Sequence, residues 1–393
     1  MKIIFKDRDL CILFFSTLLF FFNESVFLPT LPIHLSKAGY SNFQIGIVLA
    51  AFALGVLVFR PLSGYVTDKI SKKVSLSLSV FIFFISPIFY LFSTHIVYLI
   101  ILRFFHGLGI TFYTTAMPTY ITDIVSDEKK GEALGHMSTA TTIAFAFGPF
   151  LGISVFNIFK FQGPVFICTL AGFLNLLLIL LIKERKKQTF KNLKISFKQV
   201  VFKRSILISS LAILMHAVIF GGIMTFLPLL VHQTPGLNIG YFFLTEAVII
   251  IICRVFMAHF SDKYGRGPVF FYSSLVILLA VFVISKINSY ETLIFAAVLF
   301  GVGGALCSPS LAAYIADKTQ PEQRGTAFGF FYGAFDAGVL IAGVILGFIA
   351  DLTSLENMFI ITSLMGGVVL IVFSLSIKEK LSQSLSWTLI GKK

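Results

Sequence analysis

The sequence predicts an all-α membrane protein whose twelve transmembrane helices form two pseudo-symmetric six-helix halves. Three observations predict it. The 393 residues are 57% hydrophobic and only 12% charged, with a mean hydropathy of +0.94, whereas soluble domains carry about 25% charged residues. The apolar residues fall into twelve runs, each near the about 20 residues that a helix needs to cross the hydrocarbon core. The chain also repeats itself at an offset of 194: Ile45-Gly46 meet Ile239-Gly240, Arg60 meets Arg254, Asp68-Lys69 meet Asp262-Lys263, and Gly107 meets Gly301. Tyr120-Ile121-x-Asp123 meets Tyr314-Ile315-x-Asp317, and Gly131 and Gly135 meet Gly325 and Gly329. Chance does not hold one offset across so many residue types, so two parallel copies of a six-helix unit, related by an axis along the membrane normal, are expected.

The spans run over 10–35, 43–66, 74–94, 97–121, 132–157 and 164–182, then over 205–231, 239–260, 268–286, 291–316, 324–350 and 355–377. An even number places both termini on one side. With that side cytoplasmic, only Lys37, Lys160 and Lys286 of the 31 Lys and Arg lie outside, and Arg60, Arg103 and Arg254 lie within spans. The asymmetry orients the chain in the inner, cytoplasmic membrane with both termini inside. It also accounts for the net charge of +13, which sits in loops and not on a folded basic face, so nucleic acid is excluded as a partner. The segment 183–204 carries nine Lys and Arg against one Glu. It reads as a cytoplasmic linker resting on anionic lipid headgroups, between an N-terminal half of 1–182 and a C-terminal half of 205–393 that ends in a short cytoplasmic tail.

Span 1 is preceded by the mixed charges Asp7, Arg8 and Asp9 and lacks a small-residue cleavage site, so it is expected to be retained and not cleaved as a signal peptide. It holds Asn23 and Glu24, followed by Pro29-x-x-Pro32. At about 1.5 Å per residue, Glu24 lies roughly 20 Å in from the cytoplasmic end. Span 2 runs into Arg60-Pro61-Leu-Ser-Gly64-Tyr-Val-Thr-Asp68-Lys69-Ile-Ser71-Lys72-Lys73. An acid and a basic cluster at a helix end form ion pairs and cap helix termini in one conformation and not another, which is the pattern of a gate, and Gly64 is expected to permit close helix approach. Span 4 carries Arg103-Phe-Phe-His106-Gly107-Leu-Gly109. Arg103 lies roughly 10 Å in from the outer end, a depth similar to that of Glu24 in a core about 30 Å thick. A charge there costs about 2.5–3.5 kcal/mol on insertion scales, so Arg103 needs a partner and a polar surrounding. Span 5 carries Ala144-x-x-x-Gly148-Pro149-x-x-Gly152-Ile153.

Span 7 aligns with span 1 after a two-residue gap that pairs Leu31-Pro32 with Leu227-Pro228, and it holds His216 and Phe220. Span 8 holds Glu246 and ends in a second copy of the gate pattern, Arg254-Val-Phe-Met-Ala258-His-Phe-Ser-Asp262-Lys263-Tyr-Gly265-Arg266. Span 11 holds Asp336 near its midpoint. The four cysteines, Cys11, Cys168, Cys253 and Cys307, fall inside spans without metal or disulfide spacing and read as small hydrophobes. No metal and no cofactor are expected.

The loop after span 2 resembles the G-x-x-x-D-R/K-x-G-R/K-R/K signature of the major facilitator superfamily, with Ser71 at the second glycine, and the second copy has Ala258 at the first. Arg103 to Gly109 is similar to the family's R-x-x-Q-G-x-G, with His106 at the glutamine. Span 5 is similar to the G-x-x-x-G-P-x-x-G-G element of proton-linked exporters without its end glycines, and span 1 is similar to the L-G-x5-P-x-x-P element of twelve-helix drug and metabolite antiporters, with Asn23 at the glycine. The resemblance covers essentially the whole chain. It implies the major facilitator fold, alternating access by a rocker switch, and a mid-membrane cavity lined by spans 1, 4, 7 and 10.

On this reading Glu24, Arg103 and Asp336 serve proton coupling, because a carboxylate beside an arginine changes protonation when substrate or a gate motion separates them. Asn23, His106, Met117, His216, Phe220 and Glu246 are the candidates for substrate contact. Arg60, Gly64, Asp68, Lys69, Lys72, Lys73, Gly148, Pro149, Arg254, Asp262 and Lys263 are the candidates for gating. The expected protein is a proton-driven exporter of a small organic molecule such as a drug, metabolite or siderophore-like compound, working as a monomer among membrane lipids. Its rival is an uptake symporter for a sugar, nucleoside or organic acid. A membrane enzyme or a sensor is disfavoured, since the sequence shows no metal-ligand cluster, no nucleophile with a positioned base and no long extramembrane segment.

Overall fold

The computed structural model describes residues 7–126, 129–184, 197–257, 259–320, 323–378 and 380–391. Twelve helices among these are long and apolar enough to cross a membrane. The central stretch of the expected basic linker, 185–196, and Ala258 lie outside the described residues. The chain divides into two compact units, Met1–Phe190 and Lys191–Lys393.

Unit 1 holds α1 (Arg8–Lys37), α2 (Asn42–Tyr65), α3 (Lys72–Phe89), α4 (Ile96–Ile124), α5 (Lys130–Phe159) and α6 (Gln162–Leu180). Short polar residues start several of these helices by accepting from backbone N–H groups that have no partner within the helix. Asp7 accepts from Asp9 and Leu10 at 2.8 and 3.2 Å, Ser41 and Gln44 form a reciprocal capping box, and Ser71 accepts from Val74 at 3.1 Å. α2 does not stop at Tyr65 but runs through a wide π turn, Val66–Ile70, so that one span reaches Ile70. α3 ends five residues before its predicted limit at 94. Pro87 lies in its last turn, the chain tightens through Tyr90, and the Tyr40 hydroxyl donates to the Thr94 carbonyl and holds that residue in the loop.

In unit 1, α1 packs on α5 and α6, α2 on α4, and α3 on α4 and α6. Lipid tails are as apolar as leucine, so close packing and internal hydrogen bonds hold such helices together. A side chain at Gly107 would strike the Phe52 carbonyl, and one at Gly55 the Phe104 carbonyl, so α2 and α4 meet backbone to backbone. The half of the unit nearer the N-terminus of α1 is filled by a core that includes Leu13, Phe20, Phe83, Tyr113, Met117 and Tyr120, with Phe20 stacked on Tyr113 at 4.0 Å.

Unit 2 holds α7 (Phe197–Val201), α8 (Arg204–His232), α9 (Gly240–Met257), α10 (Phe260–Tyr264), α11 (Arg266–Ile284), α12 (Tyr290–Lys318), α13 (Arg324–Ile341), α14 (Gly347–Leu352), α15 (Leu355–Ser376) and α16 (Leu381–Ile390). Its packing repeats that of unit 1 pair for pair: α8 on α13 and α15, α9 on α12, α11 on α12 and α15. The equivalent of the Gly107 contact recurs at Gly301, which faces the Glu246 carbonyl. The span expected over 239–260 is α9 as far as Met257, with the short helix α10 over Phe260–Tyr264, and the one expected over 324–350 crosses a π turn at Ala342–Leu346. The expected short tail contains a helix, α16, packed on α11 and α15. Its Trp387 is 8% exposed, 4.6 Å from the Tyr314 ring, with the Lys378 ammonium 5.3 Å from the indole. Gly267 makes room for the Trp387 backbone.

Candidate functional site

The most polar part of the interior of unit 1 is built from four helices. α1 brings Asn23 and Glu24, α4 brings Arg103 and, one turn later, His106, Tyr90 follows the last residue of α3, and α2 supplies Phe52. Asn23 and His106 are fully buried, Arg103 is 1% exposed and Glu24 5%. The Arg103 guanidinium lies over the Phe52 ring at 4.5 Å, a cation–π contact that partly offsets the loss of water. One of its terminal nitrogens is 3.4 Å from His106 Nδ1, and the Tyr90 hydroxyl is 3.2 Å from the same Nδ1. An arginine can only donate. His106 Nδ1 is therefore the acceptor, and the ring proton stands on Nε2.

Asn23 is a tie between helices. Its amide donates to the carbonyls of Phe83 at 2.9 Å and Cys168 at 2.8 Å, joining α1 to α3 and α6. The Cys168 thiol returns a contact to the Asn23 carbonyl at 3.5 Å. Asn23 Oδ1, Glu24 Oε2, Arg103 Nε and His106 Nε2 are all buried without a hydrogen-bond partner. Two acceptors and two donors are thus left open inside a membrane unit, where each unmet polar group costs about 1–3 kcal/mol. Glu24 lies within reach of the Arg103 charge, yet the ion pairs within 4 Å among the described residues do not join them.

The repeat shows that this cluster belongs to one half only. At the 194 offset Arg103, His106 and Tyr90 correspond to Ala297, Phe300 and Ile284. With the two-residue gap of span 7, Asn23 and Glu24 correspond to Ile219 and Phe220. Every polar member is replaced by an apolar one. The half-buried Glu246 of α9 takes the place of Phe52, the ring beneath Arg103.

The ends that carry the paired loop motifs behave in the opposite way and match across the repeat. Lys72 forms an ion pair with Asp123 at the end of α4, with 14% and 6% of the two side chains exposed. Its equivalent, Arg266, pairs with Asp317 at 3.2 Å and with Asp262 at 2.5 Å. Lys73 donates to the Leu180 carbonyl at 3.0 Å, and the Ser71 hydroxyl to Glu184 at 2.6 Å. Asp68 and Lys69 stand exposed on the π turn, and Arg254, Asp262 and Lys263 are exposed on α9 and α10. Arg60 is half-buried on α2. A side chain at Gly64 would meet nothing within 4 Å among the described residues, so in this conformation Gly64 does not provide the close helix approach expected of it. Gly148 does: together with Pro149 it lies on α5 against Ser25 of α1, whose hydroxyl donates to the Ala144 carbonyl at 2.9 Å.

The other predicted positions are dispersed. Met117 is 9% exposed in the unit 1 core. His216 on α8 lines a cavity of about 30 Å³ with Ser274 and Cys307. Phe220 lies 5.8 Å from Phe335, the neighbour of the half-buried Asp336 on α13. Sequence reasoning did not single out Asp123, Asp317, Tyr90 or Phe52 as site residues. For the first two the signal was present, since the repeat aligned one acid with the other and Lys72 with Arg266. For Tyr90 and Phe52 there was none, because an aromatic residue in a chain with 47 phenylalanines carries no positional information.

The staphylopine export protein of Staphylococcus aureus is 24% identical over 373 residues, covering 91% of this chain and 94% of that protein. The quinolone resistance protein NorA of the same organism is 23% identical over 355 residues, covering 85% and 90%. The crystal structure of the nucleoside transporter NupG superposes with a TM-score of 0.80 at 14% identity, covering 94% of this chain and 99% of that one. The family model described as Major Facilitator Superfamily matches residues 13–252 and 239–386, and with its twelve apolar helices, its two like-packed units and its paired loop motifs the chain belongs to that superfamily of transporters.

Proposed function

We propose that the protein is a proton-driven antiporter that exports a small organic molecule by alternating access, from an inner membrane in which both termini are cytoplasmic. The observation that carries the coupling is the Glu24–Arg103 arrangement: a buried carboxylate within reach of a buried guanidinium's charge, not joined to it among the ion pairs of the described residues, and without a counterpart in the other half. A static salt bridge would be expected to close its hydrogen bonds. A pair held open, with Glu24 Oε2 and Arg103 Nε unmet, is one in which a proton substitutes for the arginine as partner of the carboxylate. Export is supported by the staphylopine export protein and the quinolone resistance protein among the relatives. The substrate class that follows is a drug, a metabolite or a siderophore-like compound. Likeness to a nucleoside transporter keeps proton-coupled uptake as the second reading, and the direction of flux separates the two.

The test is gradient-driven flux in proteoliposomes, with substrates drawn from a panel of dyes, metallophores and nucleosides, for wild type, Glu24→Gln, Arg103→Gln and the double variant, beside their melting temperatures. Glutamine keeps the size and polarity of glutamate but cannot cycle between charge states. Glu24→Gln is expected to lose uphill transport while retaining downhill exchange and a near-normal melting temperature. Undiminished uphill pumping by Glu24→Gln sinks the coupling assignment. Early melting of both single variants with recovery in the double variant identifies a structural pair instead.

A further inference from the structure

A cavity of about 600 Å³ opens in unit 2 beneath α10 and α16. Met257, Phe260, Val276, Val302, Leu306 and Leu389 represent its walls, which come from α9, α10, α11, α12 and α16. Its size is that of a ligand site, but such sites place a few polar groups to orient what they bind, and this one offers little. Ser273 donates to the Phe270 carbonyl at 3.0 Å and so has spent its hydrogen. The rim is exposed and apolar: Tyr264, Tyr272 and Ile390 are 51%, 55% and 63% exposed. Phe256, next to Met257, is 68% exposed. Tyr272 stands on α11, which like α9 and α12 is long and apolar enough to cross a membrane, and an exposed apolar rim on such helices suits lipid better than water.

One charge marks the cytoplasmic edge. Lys263 is exposed on α10, its ammonium 5.1 Å from the ring of Tyr264, which lines the cavity. Its neighbour Arg266 is engaged by Asp262 and Asp317 and Lys263 by no carboxylate among the described ion pairs. An apolar slot within the membrane with a lysine at its cytoplasmic lip has the chemistry of a phospholipid: an acyl chain in the slot, and an anionic headgroup at the ammonium. The slot is walled on one side by α16, the tail helix that packs on α11 and α15.

We infer that this cavity is a binding site for one anionic phospholipid of the cytoplasmic leaflet, its acyl chain lying between α9, α11 and α12 under α16 and its headgroup at Lys263. Such a lipid braces α10, which carries Asp262 and Lys263 of the second gate motif. The site is independent of the direction of transport and of the coupling ion.

The experiment uses the full chain in nanodiscs that contain phosphatidylglycerol with a photoactivatable group on the acyl chain, or phosphatidylcholine carrying the same group, with crosslinked peptides read by mass spectrometry. Expected are crosslinks concentrated in α11, α12 and α16 with phosphatidylglycerol preferred. Val302→Trp and Val276→Trp fill the slot from two different walls and should abolish that labelling. Lys263→Gln, an exposed position that leaves folding intact, should reduce the preference for phosphatidylglycerol by about five-fold, the worth of one lysine against an anionic headgroup. The site is refuted if phosphatidylglycerol and phosphatidylcholine label equally in wild type, if Lys263→Gln keeps the full preference, or if a tryptophan variant with normal melting labels like wild type.

Discussion

Two ion pairs occupy equivalent places in the two units, beside the paired loop motifs, and their surroundings set their worth. Lys72–Asp123 is nearly enclosed, with 14% and 6% of its side chains exposed, whereas Asp317 is 54% exposed and shares Arg266 with Asp262. Removing one partner of an enclosed pair strands the other, with an upper bound of about 3–5 kcal/mol for full burial. An exposed pair contributes about 0–1 kcal/mol. Asp123→Asn is therefore expected to lower the melting temperature and transport clearly, while Asp317→Asn changes either only slightly. Exchanging the charges, Lys72→Asp with Asp123→Lys, should recover most of the loss. Equal effects of the two asparagine variants would contradict the ranking by burial.

Among the helices, glycines that look alike in sequence differ in what surrounds them. Gly107 and Gly135 both recur at the 194 offset. A methyl group at Gly107 would strike the Phe52 carbonyl, and one at Gly135 would meet nothing within 4 Å among the described residues. Backbone cannot yield as a flexible side chain does, so Gly107→Ala should destabilise by about 1–3 kcal/mol through forced separation of α2 and α4. Gly135→Ala, inside α5, should stabilise by up to about 1 kcal/mol through helix propensity. Thermal unfolding of the two purified variants reads both signs. A recurring glycine thus announced a special position, but which kind of position depended on the neighbouring helix.

For the molecule as a whole, charge placement and hydropathy decide how the chain enters the bilayer. Lys183, Arg185, Lys186, Lys187 and Lys191 stand within one short stretch of sequence after span 6, and each lysine near an anionic leaflet contributes about 1 kcal/mol. Neutralising four of them is expected to produce a mixed topology, with turnover per correctly inserted molecule unchanged. Reporter fusions at the C-terminus and accessibility of single cysteines in the loops measure it. A uniform topology with abolished transport would assign these residues a regulatory contact instead.

The twelve spans, the two-copy plan and the paired loop motifs were legible in the sequence because each is periodic: apolar length repeats span by span, and the second half restates the first at one offset. Glu24 and Arg103 were legible for a related reason, since a charge within an apolar span stands out against its surroundings. What only the tertiary structure decided lies in contacts between segments distant in the chain. It showed Asn23 tying α1 to α3 and α6, Asp123 taking up Lys72, and Gly64 lacking the neighbour expected of it. It also packed a tail helix, α16, on α11 and α15. The physical reason is that hydropathy and helix propensity act along one segment and are written there, whereas packing partners are chosen by three-dimensional fit, which no single segment encodes.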